Sequence, residues 1–291
     1  MKVGTVSVAG ERRVGVISSD GATIAPFDLP VEEARGGVLA IIGVTGALPP
    51  TLSPIPLSEV TIEAPIPRPL RNIFCVGKNY FEHAHEFARS GFDSSAAKGA
   101  VPENPIIFSK VPDSVVACGG NIIIDPSVSR AVDYEAELAV IIGKAGRRIR
   151  AADAFDHVWG YTIVNDVTAR DLQGRYSQWL IGKSQDTFCP MGPFAVTREE
   201  LDISNTAISC YVNGELRQNS NTSLLIFDIP TIIETLSAGI TLQPGDIIAT
   251  GTPAGVGIGF DPPRYLRNGD LVRIEVGRLG VLENTVVERA A

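Results

Sequence analysis

Glu135 and Glu137 interrupt the run Asp133-Tyr-Glu-Ala-Glu-Leu-Ala-Val-Ile-Ile-Gly143, which otherwise reads as a buried β-strand. Side chains at i and i+2 of a strand share a face, so the two carboxylates stand side by side, with Cα atoms roughly 7 Å apart at about 3.3 Å of rise per residue. Charged groups are almost never buried unless paired or bound to a metal. Asp166 closes a second apolar run, Trp159-Gly-Tyr-Thr-Ile-Val-Asn-Asp166, and is placed to complete a three-carboxylate site. An all-oxygen set suits Mg²⁺ or Mn²⁺, with Ca²⁺ as a substitute, better than zinc or copper. Asp133 shares the strand parity of the two glutamates and is a rival ligand. Edge-strand charges or salt bridges are the alternative reading of these acids.

The chain has only three histidines, and two fall in Gly77-Lys-Asn-Tyr-Phe-Glu-His83-Ala-His85-Glu86. In a helical turn His83 and Glu86 are i,i+3 neighbours. A carboxylate on one imidazole nitrogen orients the ring and makes the other nitrogen a better base. His85 and Glu82 compete for the same roles, and a solvated helix start with incidental histidines is the plainer account. Lys183 sits in the irregular segment Gly182–Gly192, where a lone lysine can meet an anion. Arg170 and Gln173 are i,i+3 on a candidate helix just after Asp166, and arginine suits bidentate carboxylate recognition. Surface charge is the competing account of Lys183 and Arg170. The glycine-rich Thr250-Gly-Thr-Pro-Ala-Gly-Val-Gly-Ile-Gly259 lacks the Lys-Ser/Thr of a P-loop and misses GxGxxG spacing. It reads either as a backbone amide cradle for a carboxylate or as a plain tight turn.

The elements that must position these groups are mostly strands. Residues 1–66 alternate apolar and polar residues in short runs such as Lys2–Val8 and Arg13–Ser18, with one short helix expected from Val31 to Ile42. Pro65, Pro67 and Pro69 mark a stiff linker, so the expected boundary separates a small β-rich domain, 1–66, from a larger one, 67–291. Strands are expected at Ile73–Val76, Ile106–Ser109, Ile122–Ile124, Glu137–Ile142, Trp159–Asn165, Phe194–Val196, Ala207–Val212, Asp246–Ala249 and Asp270–Val276. Helices are few: Ala151–His157, Val167–Leu172 and Ile229–Ser237. Many strands with Gly/Pro turns predict a β-rich α+β protein, a sandwich or rolled barrel rather than a βαβ repeat.

Bulk properties narrow the class. The 291 residues are 44% hydrophobic and 20% charged, as in a globular protein, and the net charge of −8 disfavours nucleic acid or an anionic membrane as partner. No apolar run approaches the roughly 18 residues of a membrane helix. The opening Met-Lys-Val-Gly-Thr breaks into charge before a signal-peptide core forms, so a cytoplasmic protein is expected. Cys75, Cys118, Cys189 and Cys210 are scattered without a CxxC pair and read as buried reduced thiols.

In order along the chain, these segments resemble the fumarylacetoacetate hydrolase family. The matching pieces are Val76-Gly-Lys-Asn-Tyr80 through His83-x-x-Glu86, Phe108-x-Lys110, Tyr134-Glu-x-Glu137, Asn165-Asp-Val-Thr-Ala-Arg-Asp-Leu-Gln173, Lys183-x-x-Asp186-Thr-Phe-x-Pro-x-Gly192 and Gly251-Thr-Pro-x-Gly255. The resemblance covers about residues 70 to 288. It implies a rolled mixed β-sandwich catalytic domain, usually in a homodimer, with Glu135, Glu137 and Asp166 as ligands of Mg²⁺ or Mn²⁺. By the same matching, His83 and Glu86 become a water-activating dyad and Lys183 the anion stabiliser. Arg170 and Gln173, with Lys110, Tyr80 and Thr252 of the matched motifs, become substrate-binding positions.

That site implies hydrolysis of a carbon–carbon bond in a 2,4-dioxo acid, an acylpyruvate or a diketo-deoxy sugar acid, with release of pyruvate or a related 2-oxo acid. Oxaloacetate decarboxylation, or dehydration or isomerisation of a 2-keto-3-deoxy acid, uses most of the same site. A catalytically silent protein that binds metal or a 2-oxo acid is the rival from another class. Two departures bear on the substrate. The larger tyrosine-pathway hydrolase has a further acid ligand upstream of its histidine, where Phe74, Cys75, Val76 and Gly77 supply none, which resembles the smaller acylpyruvate and oxaloacetate branch. The stretch from Glu86 to Pro105 is longer than that branch suggests, and its insert Ser90–Pro102, rich in small residues, is expected to act as a lid.

Overall fold

Alternation along Ala136–Ile142 explains how a strand can be buried on both faces. Leu138, Val140 and Ile142 enter one hydrophobic core, while Ala139 and Ile141 enter another. The computed structural model describes residues 1–44, 46–89 and 101–289. Most of the expected lid stretch, residues 90–100, lies outside the described residues.

A twelve-stranded mixed sheet forms the backbone of the fold. Its central path runs from Glu11–Ile17 through Lys2–Val8, Cys189–Thr197, Val158–Asn165, Ala136–Ile142, Ile247–Ala249 and Ile73–Gly77 to the edge strand Ile106–Lys110. A second sheet orders Glu215–Asn221, Ala207–Val212, Leu271–Val276, Gly280–Glu288 and Asn121–Ile124. The two sheets share the larger core, where Leu138 and Val140 join Ile208, Cys210, Ile274 and Leu282. Each such aliphatic side chain removed from water contributes about 1.5–3 kcal/mol. The smaller core carries Val3, Phe27, Val38 and Ile66 from the first segment against Ile73, Cys75, Ile141 and Met191.

Residues 1–66 supply the strands on one side of Cys189–Thr197 in this sheet. Lys2 pairs with Val196 and Val3 with Ala195, and Pro65 accepts hydrogen bonds from Thr5 Oγ1 and Val38 N at 2.8 Å each. The single helix expected over Val31–Ile42 is two short pieces, Val31–Ala34 and the 3-10 turn Gly37–Ala40. Gly37 breaks it at φ +66°, where a Cβ would meet Pro65 O at 2.4 Å.

Ile229–Ser237 is the helix expected, opened by Asp228, whose carboxylate accepts from Thr231 N. Ala151–His157 is a 3-10 helix. Of Val167–Leu172, the first part pairs as the short strand Thr168–Ala169 with Val132–Asp133, and helix begins only at Arg170. The strand expected at Phe194–Val196 is nine residues long, Cys189–Thr197, because Pro190 and Pro193 disguise it. Glu215–Asn221 and Gly280–Glu288 were not expected as strands. No described helix is long and apolar enough to cross a membrane.

Candidate active site

Antiparallel register brings the acids together. Ala136 lies opposite Asn165, so the next pair outward is Glu135 and Asp166, and Asp166 N donates to Glu135 O at 2.8 Å. Asn165 fixes this end, its Oδ1 accepting from Glu135 N at 3.0 Å. Oxygen atoms of Glu135, Glu137 and Asp166 all lie within 4.8 Å of one another, and all three residues are buried. Octahedral oxygens at about 2.1 Å from Mg²⁺ stand roughly 3–4.2 Å apart, and those of the larger Ca²⁺ further. The triad is thus sized for one hard divalent cation.

Electrostatics support the same fit. Burial pushes the Glu137 carboxyl well above the carboxylate range, and Asp166 and Glu135 repel its charge further. Burial acts on Glu135 in the same direction, but Lys183 and then Arg170 bring it down to about 2. Lys183 Nζ lies 2.7 Å from both Glu135 Oε2 and Asp166 Oδ2, and Arg170 Nη1 lies 2.6 Å from Glu135 Oε1. Glu137 is left with a backbone donor, Gly251 N at 2.8 Å, and two acidic neighbours. A dication held by the three oxygens would offset that repulsion.

The rival ligand Asp133 is fully used elsewhere. Its Oδ1 accepts from Tyr134 N and Gly257 N at 2.9 and 2.7 Å, and its Oδ2 from Arg170 Nε and Ile258 N at 2.9 and 3.0 Å. Strand parity failed here because Val132–Asp133 belongs to a separate small sheet, not to the strand that starts at Ala136.

The histidine arrives on the helix Phe81–Arg89, which buries His83, Ala84 and Phe87. Asn79 pins the turn before it, donating from Nδ2 to Thr250 O at 2.8 Å and Phe227 O at 3.0 Å, and accepting from Phe227 N. His83 Nδ1 lies 3.2 Å from Glu86 Oε2, and its ring stacks on Phe87 with centroids 6.2 Å apart. The competitors His85 and Glu82 are exposed. Gly77 allows Trp179 to lie across the site, since a Cβ there would meet the indole at 2.6 Å.

One hollow is lined by His83, Glu135, Glu137, Arg170, Gln173, Lys183 and Thr252. Glu86 stands behind His83, and Asp166 completes the triad. Two expected substrate contacts fall outside this lining. Lys110 is fully buried beneath the site, donating to Asp166 Oδ1 at 2.6 Å, to Val167 O at 3.0 Å and to Lys183 O. With three acceptors satisfied, it holds Asp166 in place. Tyr80 lines a different hollow with Phe81, Leu224 and Pro253, and its hydroxyl has no hydrogen-bond partner among the described residues. Thr252 does line the cavity, held by Gln218 Nε2 at 2.8 Å, while Gln218 Oε1 accepts from Ala136 N. Sequence reasoning assigned no role to Gln218 or Asn79, which sit between Arg217 and Asn219 and between Lys78 and Tyr80, where nothing local marks them.

Residues 72–287 match the family model described as fumarylacetoacetate (FAA) hydrolase, C-terminal. The chain is 51% identical to oxaloacetate tautomerase YisK of Bacillus subtilis over 79% of this chain and 74% of that protein. It is 46% identical to the mitochondrial oxaloacetate tautomerase FAHD2B of Bos taurus over 88% of this chain and 79% of that one. Among solved structures, a fumarylacetoacetate hydrolase from Exiguobacterium antarcticum superposes with a TM-score of 0.83 at 39% identity, covering 99% of this chain and all of that one. A 5-carboxymethyl-2-hydroxymuconate delta-isomerase from Mycobacterium smegmatis gives 0.79 at 34% identity, with coverage of 99% and 100%. With its motifs in order, its acids and histidine in one cavity and its whole length superposable, the chain belongs to the fumarylacetoacetate hydrolase family.

Proposed function

We propose that this enzyme interconverts the enol and keto forms of oxaloacetate or a closely similar 2-oxo dicarboxylic acid, with a divalent ion bound at Glu135, Glu137 and Asp166. One observation carries the reading: His83, Glu135, Glu137 and Arg170 line one hollow, with Glu86 behind the histidine, Asp166 completing the acid triad, and one guanidinium nitrogen unspent. Arg170 Nη2 is buried and has no partner among the described residues, although Nε and Nη1 are committed to Asp133 and Glu135. A buried orphan donor costs about 1–3 kcal/mol, which a substrate acceptor would recover. A dicarboxylic 2-oxo acid brings a second carboxylate for it, whereas an acylpyruvate brings only a neutral ketone at that end.

The bound ion would supply Lewis acidity to the 2-oxo group. His83, oriented through Nδ1 by Glu86, presents its other ring nitrogen to the cavity and moves one proton between C3 and the enol oxygen. Lys183 adds a positive charge beside the oxygen that gains electron density. Gln173 and Thr252 shape the wall. No water nucleophile and no departing carbon fragment are needed.

The sequence reading placed carbon–carbon hydrolysis first and oxaloacetate chemistry or isomerisation second. Relatives named as oxaloacetate tautomerases and a delta-isomerase support the second. The deciding experiment follows loss of enol absorbance from fresh oxaloacetate with Mg²⁺ or Mn²⁺, alongside pyruvate release from oxaloacetate and from acetylpyruvate. Enol–keto exchange should be much the fastest of the three. A higher kcat/KM for acetylpyruvate cleavage would overturn the assignment.

A further inference from the structure

The glycine-rich run Thr250–Gly259 acts through its main chain. We propose that this segment is a positioning clamp for the proton-transfer pair, and that Gly259 is the positioning residue that lets Glu86 seat against His83. The inference rests on the proton-transfer role assigned to that pair. Four amides of the run hold three acids, Glu86 from the helix and Asp133 and Glu137 from the neighbouring strands Val132–Asp133 and Ala136–Ile142. Gly251 N donates to Glu137 Oε2 at 2.8 Å, and Gly255 N to Glu86 Oε1 and Oε2 at 3.0 and 3.3 Å. Gly257 N and Ile258 N donate to Asp133 at 2.7 and 3.0 Å. The acids have different tasks: a cation ligand, the partner of His83, and the anchor of Arg170. Main-chain donors cannot rotate away as side chains can, so one loop fixes all three carboxylates relative to one another.

Gly259 differs from the other glycines in what excludes a side chain. A Cβ at Gly255 would meet Arg217 O at 1.9 Å and one at Gly257 would meet Arg264 O at 2.3 Å, both backbone atoms. Gly251 and Gly255 also lie at φ +106° and +101°, where other residues are strained. At Gly259 the three nearest atoms all belong to Glu86: Oε1 at 1.8 Å, Cδ at 2.2 Å and Cγ at 2.5 Å. Its φ is outside the left-handed region. Alanine at 259 therefore meets the outer part of one flexible side chain, Cγ included, so Glu86 must turn about its Cα–Cβ bond, leaving both His83 and Gly255 N.

The test compares wild type, Gly259→Ala, Glu86→Ala, Glu86→Asp and the double variant Gly259→Ala/Glu86→Asp. Three properties are read: melting temperature, the ring-nitrogen NMR resonances of His83, and enol–keto kinetics on oxaloacetate. The resonances are assigned by loss of the other two histidines in His85→Gln and His157→Gln. Gly259→Ala should melt close to wild type, with His83 resonances moved to their positions in Glu86→Ala. Its kcat should fall about 10²-fold with KM nearly unchanged. Glu86→Asp alone should lower kcat, and Gly259→Ala should lower it further in that background, because the aspartate Cγ still meets the new methyl. Unmoved His83 resonances, or a Gly259→Ala protein that does not fold, would overturn the clamp. If the resonances move as expected while wild type leaves oxaloacetate untouched, the clamp stands and the assigned reaction falls.

Discussion

Replacing Asp133 with asparagine changes one atom in a fully buried side chain, and the surrounding geometry sets a large cost. All four partners of this carboxylate are N–H donors, two on each oxygen. An asparagine has one acceptor oxygen and one NH₂ donor, so either orientation aims the NH₂ at two donors. Turned towards Tyr134 and Gly257, it orphans two buried amides at about 1–3 kcal/mol each. Turned the other way, it faces Arg170 Nε and loses a charge-assisted bond. Both orientations also remove the negative charge opposite Arg170, and removing one partner of a buried ion pair costs about 3–5 kcal/mol. We expect a loss of about 3–5 kcal/mol in urea unfolding with EDTA present. At about 2–4 °C per kcal/mol for chains of a few hundred residues, melting should fall by roughly 10 °C. Because Arg170 loses its anchor, KM for oxaloacetate should rise more than kcat falls. Unfolding within about 1 kcal/mol of wild type would refute the reasoning, since even one orphaned buried donor should cost that much.

Three further outcomes follow from the same geometry. Burial raises the thiols of Cys75, Cys189 and Cys210 above the ordinary 9.0, Cys189 to about 12. Their folded values exceed the unfolded one, so this contribution is complete below pH 9 and is lost as pH rises towards the folded values. Stability should fall above pH 9 by up to about 1.4 kcal/mol per pH unit per thiol, read by urea unfolding against pH in wild type and Cys189→Ala. Tyr80→Phe removes a buried hydroxyl without a partner among the described residues and should hold or raise stability by about 1 kcal/mol while leaving oxaloacetate kinetics near wild type. A large rise in KM would return Tyr80 to the substrate site. Glu137→Gln relieves repulsion from Asp166 and Glu135, so it should melt no lower than wild type in EDTA. Saturating Mg²⁺ should stabilise wild type, by about 2.7 kcal/mol at a hundred times Kd, and leave the glutamine variant unmoved.

The sequence carried the site's local pairs well and its long-range supports poorly. Glu135 with Glu137, and His83 with Glu86, are two and three residues apart, so strand and helix periods expose them directly. Asp166 was legible because its apolar run stops where the acid begins. Asp133 misled because parity assumes one continuous strand, whereas the chain changes sheets between Asp133 and Ala136. Lys110 was carried by resemblance as a substrate contact, and no local pattern could say that three acceptors surround it from below. Cys189–Thr197 and Glu215–Asn221 hid as strands, the first behind prolines and the second behind polar residues suited to a sheet edge. The glycine-rich run kept both its readings until the positions of Glu86 and Asp133 were known, because main-chain donors leave no trace in side-chain identity.

The pairing of Lys2 with Val196 has a consequence for how the molecule comes into being. During synthesis the first strand leaves the ribosome long before its neighbour Cys189–Thr197 exists, and that neighbour also borders Val158–Asn165, which leads into Asp166. Pairings so distant in sequence close late, because the intervening loop must first be ordered. Lys2–Val8 can form its hairpin with Glu11–Ile17 at once, and Thr61–Glu63 then covers Thr5–Ser7 on the opposite side, so the Lys2–Val3 end is the stretch that waits for its partner. A nascent chain stalled before residue 189 would thus present an open strand edge, an opportunity for chaperones and a hazard of aggregation that the finished enzyme no longer carries.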